Sequence, residues 1–212
     1  MKTKLFTTIM AVVMVLTLCA VSFAAVSQTI NVTATVQSVS SSLSVGISKV
    51  TVGTGGAADT WLALPALSPM AFGTLVYDTV NKIFVPSPAI YYAVDIGVTD
   101  NTGTVWTLTQ TGTSIANGIN NLNNNINATF VKVTGSGTST TDTPLTGGAV
   151  SYAAAMTGKA YTKTAISPGW MRIYYGIGTG NPLKPDNTGV VPVGADKQAG
   201  LYSGVVTITL TP

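Results

Sequence analysis

Gly200-Leu201-Tyr202-Ser203-Gly204-Val205-Val206-Thr207-Ile208-Thr209-Leu210-Thr211-Pro212 is written in a period of two. Tyr202, Val206, Ile208 and Leu210 fall on one parity, and Ser203, Val205, Thr207, Thr209 and Thr211 on the other. Alternate side chains of a β-strand point to opposite faces, so the stretch predicts a strand with one apolar row and one hydroxyl-rich row. A strand has backbone N–H and C=O groups to satisfy, so this one needs a neighbour. Tyr202, Val206, Ile208 and Leu210 are therefore the candidate C-terminal pairing strand.

The same pattern stands near the other end. In Gln28-Thr29-Ile30-Asn31-Val32-Thr33-Ala34-Thr35-Val36-Gln37, the residues Ile30, Val32, Ala34 and Val36 alternate strictly with polar ones. They form the candidate assembly strand. Either these two stretches complete one sandwich, or the first leaves to complete a neighbouring copy.

Between them, turn-forming residues break the chain into short strands. Leu43, Val45 and Ile47 alternate until Gly53, and residues 57 to 69, with Pro65 and Pro69, read as an irregular connection with Trp61 folded onto the core. Met70 to Tyr77 and Ile83 to Val85 are short strands. Ile90, Tyr92, Val94, Ile96 and Val98 share one face, Asp100-Asn101-Thr102-Gly103 reads as a turn, and Trp106 and Leu108 resume the face on a hairpin return. Trp106 is expected to plug the core. Asn120, Asn121, Asn123, Asn124, Asn125 and Asn127 mark an asparagine-rich loop, and Gly135 to Thr143 a loop of low complexity. Ala128 to Thr134, Val150 to Ala155 and Trp170 to Ile177 are further strands, and residues 178 to 200 a long loop or poor edge strand. The pattern predicts an all-β, antiparallel Ig-like or pilin-like sandwich of about nine or ten strands.

Residues 1–24 are set apart. Lys2 and Lys4 precede an apolar run from Ile9 to Val21, and Ser22-Phe23-Ala24 supplies small residues for cleavage, the pattern of a secretory signal peptide. Ala25 is the neighbouring alternative. Removing 24 of 212 residues leaves 188, expected to form one domain in an extracellular or cell-surface location, with no membrane attachment after cleavage.

Cys19, the single cysteine, lies in the removed segment, and the chain has no histidine. The remainder is thus without disulfides, Cys- or His-ligated zinc, or catalysis by thiol or imidazole. Eight cationic side chains stay against seven aspartates, and there is no Glu. So weak a charge gives no footprint for nucleic acid. The aspartates mostly sit at turns, where Asp has a structural use. No catalytic, cofactor-binding or metal-binding residue is assigned, and the chain is read as non-enzymatic.

One aromatic group suggests a surface. Alternation places Trp170, Arg172 and Tyr174 on one face and Met171, Ile173 and Tyr175 on the other, the second face being the expected core. Trp170 and Tyr174 are then the candidate glycan contacts.

Three stretches, Ile30 to Val36, Phe72-Gly73-Thr74-Leu75 and Gly200 to Leu210, resemble same-ordered elements of spore-coat-U-like and pilin-type β-sandwich subunits of secreted bacterial fibres and coats. Thr102-Gly103-Thr104-Val105-Trp106-Thr107-Leu108-Thr109 is similar to the first Trp-x-Leu motif of the WxL cell-surface domains. The closing stretch stands where their second motif would be, with Ile208 in place of the tryptophan and Leu210 retained. The first resemblance implies a structural subunit whose partners are other copies of itself or related surface subunits, joined by strand complementation. The second implies a module attached to cell-wall polysaccharide. Neither brings catalytic residues.

Overall fold

The computed structural model of the chain describes residues 42–100, 105–136, 139–180, 187 and 189–211. The chain divides into units Met1–Gln37 and Ser38–Pro212, and only the second is described. The secretion pattern and Ile30, Val32, Ala34 and Val36 lie outside the described residues.

The fold is all-β and sandwich-like. Its elements are β1 (Ser42–Thr51), β2 (Thr60–Leu64), β3 (Leu75–Asp78), β4 (Ile83–Pro86), β5 (Ile90–Thr99), β6 (Thr107–Gly112), β7 (Ala116–Asn117), β8 (Asn120–Asn121), β9 (Ile126–Ser136), β10 (Ser139–Ser151), β11 (Thr157–Thr162), β12 (Trp170–Ile177), β13 (Val193–Gly194) and β14 (Val206–Thr211). Among the described residues two single-turn helices, α1 (Tyr152–Ala155) and α2 (Lys163–Ile166), interrupt them. A six-stranded sheet runs β10-β9-β12-β5-β1-β2, and three-stranded sheets run β11-β6-β14 and β13-β4-β3. Both strand pairs on β12, to β5 and to β9, are antiparallel. The strands outnumber the nine or ten expected because β7, β8 and β13 are too short to carry a periodicity and because β2 and β11 fall in stretches without clear alternation.

One face of the large sheet makes the main core. Tyr92, Val94 and Ile96 of β5, Met171, Ile173 and Tyr175 of β12, and Ala128 and Phe130 of β9 join Trp106, Leu108 and Tyr161 from the β6 and β11 side. Each of the larger aliphatic side chains and Phe130 contributes about 1.5–3 kcal/mol on burial. Gln110 of β6 lies among them at 0% exposure and accepts the Tyr175 hydroxyl proton at 2.5 Å.

Four expectations are corrected. The strand β5 and the return through Trp106 and Leu108 are not a hairpin: β5 pairs with β1 and β12, and β6 with β11 and β14. Both apolar rows do reach the same core, but from opposite sheets. Lys163, 3.1 Å from the buried Asp100 carboxylate, donates its backbone N–H to Trp106 O, pinning the chain where it changes sheet. The Ser/Thr/Gly segment is mostly ladder, with Ser139 to Thr143 of β10 paired to Ser136 to Lys132 of β9, since threonine suits a pleated surface. Residues 152–155, expected as strand, form the helical turn α1. Finally, the 57–69 connection contains β2, whose Trp61 is 44% exposed rather than folded onto the main core.

Candidate functional site

Two features stand apart from ordinary packing, and the first is a pair of open edges. β14 pairs with β6 from Val206↔Gly112 to Thr211↔Thr107 and has no strand on its other side among the described residues. Val206, Ile208 and Leu210 are half-buried against the main core, and Thr207, Thr209 and Thr211 are exposed. The ladder starts later than the sequence period because Gly204 runs against the chain before β7: a Cβ there would sit 2.8 Å from Ile115 Cγ1 and 2.9 Å from Ser114 O. Tyr202 also packs on the core, and its hydroxyl donates to Gln198 O at 2.8 Å.

The second open edge belongs to the other sheet. β1 pairs with β5 along Ser42 to Thr51 but with β2 only from Ile47 to Thr51. Leu43 and Val45, at the end that has no second strand beside it among the described residues, are half-buried against the same core as the β14 row. A finished sandwich edge hides such rows. Covering a half-exposed Val, Leu or Ile is worth about 1 kcal/mol each, so Val206, Ile208 and Leu210 offer on the order of 3 kcal/mol to a strand laid along β14.

The other feature is on the opposite face of the six-stranded sheet. Trp170, Arg172 and Tyr174 point there, as alternation predicts, while Met171, Ile173 and Tyr175 enter the core. Arg172 Nε and Nη2 donate to Asp95 Oδ1 and Oδ2 at 2.6 and 2.9 Å, a two-pronged pair. Its Nη1 lies 3.6 Å from Asp142 Oδ1. Trp170 Nε1 donates to Asp95 Oδ1 at 3.2 Å, and the Tyr174 hydroxyl donates to Asp142 Oδ2 at 2.5 Å. Tyr91 donates its hydroxyl to Asp59 Oδ2 at 2.8 Å. Above them lies Trp61, its ring centroid 4.9 Å from Arg172 Cζ and 6.5 Å from the Tyr91 ring.

The electrostatics follow from this enclosure. Burial, reinforced by Asp142, raises the Tyr174 phenol, and burial with Asp59 does the same to Tyr91. Burial works against the Arg172 charge, but the hydrogen bonds it donates to Asp95 and Tyr174 outweigh it and hold the guanidinium more firmly protonated. Asp95 and Asp142 both neutralise this one cation.

Of the two candidate glycan contacts, Trp170 is half-buried and keeps an exposed part, whereas Tyr174 is 3% exposed and acts as a strut beneath the surface. The asparagine-rich stretch is a clip. Asn123 Oδ1 accepts from Ile115 N at 2.9 Å, Asn125 Nδ2 donates to Val191 O at 2.9 Å, and Asn127 Nδ2 donates to Tyr174 O at 3.0 Å. These amides satisfy buried backbone. Trp61, Asp59, Tyr91 and Asp95 were missed as members of the network around Arg172 and Tyr91. Only Asp95 left a trace in the sequence, as the one charge inside the apolar run from Ile90 to Val98.

Among the described residues no group of three or more His, Cys, Asp or Glu is placed to hold a metal ion, and no helix is long and apolar enough to cross a membrane. No family model, curated protein or solved structure matches the chain.

Proposed function

We propose that the protein is a secreted, non-enzymatic structural subunit of a bacterial cell-surface fibre, coat or extracellular matrix, assembling by strand complementation. The observation that carries this reading is the open edge of β14, with Val206, Ile208 and Leu210 only half-buried. The uncovered row of Leu43 and Val45 on the facing sheet supports it. The occupant is the segment 28–37 of another copy. Its Ile30, Val32, Ala34 and Val36 match in period the row they would cover, and the segment carries no charge that would have to be desolvated. Backbone pairing to β14 supplies order, and the alternate apolar side chains supply register. Export follows from the pattern of residues 1–24, and partners are other copies or related surface subunits.

The test is assembly of protein beginning at Ala25, followed by light scattering and electron microscopy. Concentration-dependent oligomers or filaments are expected, and they should disappear when residues 25–37 are removed. The shortened chain should then bind a synthetic Gln28–Gln37 peptide but not one carrying Val32→Asp and Val36→Asp. A monomer whose stability is unaffected by the deletion overturns the reading. So does a monomer that loses stability on deletion, because the segment then serves its own chain.

A further inference from the structure

We infer that the outer face of the six-stranded sheet carries a shallow binding site for an uncharged polysaccharide, centred on Trp61, Trp170 and the Asp95 carboxylate. The inference is independent of strand complementation, which uses other surfaces.

Trp61 is the first reason. A tryptophan at 44% exposure on an edge strand would ordinarily be free to turn, but this ring is held from below by the Arg172 guanidinium and at its edge by Tyr91. Cation–π and edge-to-face contacts fix its plane and leave the other side to solvent. A rigid, exposed aromatic plane loses little entropy when a ligand stacks on it. The C–H face of a pyranose ring is a ligand of matching shape.

The second reason is the acceptor beside it. Asp95 is oriented by three donors, from Arg172 and Trp170, yet its side chain is 35% exposed. A carboxylate has about four lone-pair sites, so an acceptor position is left for a hydroxyl group. Sugars offer hydroxyl donors next to apolar C–H faces.

The floor next to Asp95 is the third reason. Its cross-strand neighbour is Gly46, and the next outward-facing pair is Ser44 with Gly97. Gly46 is exposed, and a Cβ built on it meets nothing closer than the Asp95 Cβ at 4.0 Å. A ligand can thus approach the backbone beside the carboxylate.

Charge selects among ligands. Asp95 and Asp142 both pair with the one Arg172, so the site carries more negative than positive charge and repels anionic polymers, nucleic acid included. An uncharged polysaccharide suffers no such repulsion.

The experiment is affinity electrophoresis and calorimetry of the purified protein against uncharged glucan, xylan and mannan, with pectate and hyaluronate as anionic comparators. Binding to at least one uncharged polymer is expected, with a change in tryptophan fluorescence. Trp61→Ala should weaken it at least about tenfold, the loss usual for a central aromatic contact. Because Trp61→Ala also loosens the cover over Arg172, Gly46→Phe is the second variant. Its Cβ meets nothing closer than 4.0 Å and the change gains strand propensity, so the variant should keep the melting temperature while covering the floor and weakening binding by a similar factor. Failure to bind any of the uncharged polymers overturns the inference. Tighter binding to the anionic polymers, or unchanged affinity in both variants, does so as well.

Discussion

Tyr174 and Tyr175 are neighbours in β12 and almost equally hidden, at 3% and 1% exposure, but they are buried by different means. Tyr175 faces the main core, where the strands β6, β11 and β14 cover the large sheet with apolar side chains. Tyr174 faces the other way, among Val50, Tyr91, Ala93, Val131 and Val133, where the local cover is a charged and aromatic lattice of Arg172, Asp95, Asp142 and Trp61. Among the described residues, one face is closed by a second sheet and the other by side chains alone. The lesson is that burial on the outer face depends on ion pairs whose removal exposes and unbalances it, whereas burial on the inner face depends on volume.

The comparison is broken most strongly from inside. Ile173→Ala, at a fully buried position, is expected to lower unfolding free energy by about 4 kcal/mol in a urea titration, as lost transfer energy and a residual cavity add. On the adjacent outward position, Arg172→Ala leaves Asp95 and Asp142 without their shared cation. The expected loss is about 3 kcal/mol, at the lower end for a buried pair because the Asp95 side chain is 35% exposed. Arg172→Met combined with Asp95→Asn and Asp142→Asn should recover most of it. Recovery by that triple variant would confirm that the single change acts through stranded charge rather than lost packing.

The two tyrosines sharpen the contrast on a smaller scale. Tyr175→Phe leaves the Oε1 of fully buried Gln110 without its donor, and should reduce stability by about 2 kcal/mol. Adding Gln110→Leu should return much of this, since two apolar partners need no hydrogen bond. Tyr174→Phe removes a bond to Asp142, which still has Arg172 and is partly open to water, so about 1 kcal/mol is expected. Equal losses at the two positions would erase the distinction between the faces.

Alkaline pH acts on both faces and has no effect near neutrality. Burial pushes the Tyr161 phenol up to about 12 and raises Tyr174 and Tyr91. A raised folded value means that the neutral form is the one the fold favours. The contribution is therefore complete below the unfolded value of about 10 and is lost as pH climbs through the folded value. Phenolate absorbance of the native protein should lag that of the unfolded chain above pH about 10, then rise with cooperative unfolding. Matching titrations in the two states would contradict the enclosed placement of these rings.

Residue parity was legible in advance wherever the strands are long enough to show a period. The split of Trp170, Arg172 and Tyr174 from Met171, Ile173 and Tyr175 follows from alternation, and so does the row of Val206, Ile208 and Leu210. The aromatic face was only half legible. Trp170 stands in a clear strand, but Trp61 sits in a proline-flanked stretch whose four apolar residues in succession show no alternation. Its approach to Arg172 depends on β2 pairing with β1 and β1 with β5, a chain of contacts spanning more than a hundred residues of sequence. The asparagines were legible as a loop but not as a clip, because the backbone groups they satisfy come from segments distant in sequence.

By itself the sequence determined the all-β character, the faces of the longer strands and the sparse charge, because side-chain period and composition are local properties of the chain. The tertiary structure settles which strands are neighbours, that β5 and β6 lie in different sheets, that Trp61 covers Arg172, and that β14 has no second strand beside it among the described residues. Those outcomes depend on backbone hydrogen bonds and packing between segments far apart in sequence. A period of two fixes which way a side chain points without fixing what it meets.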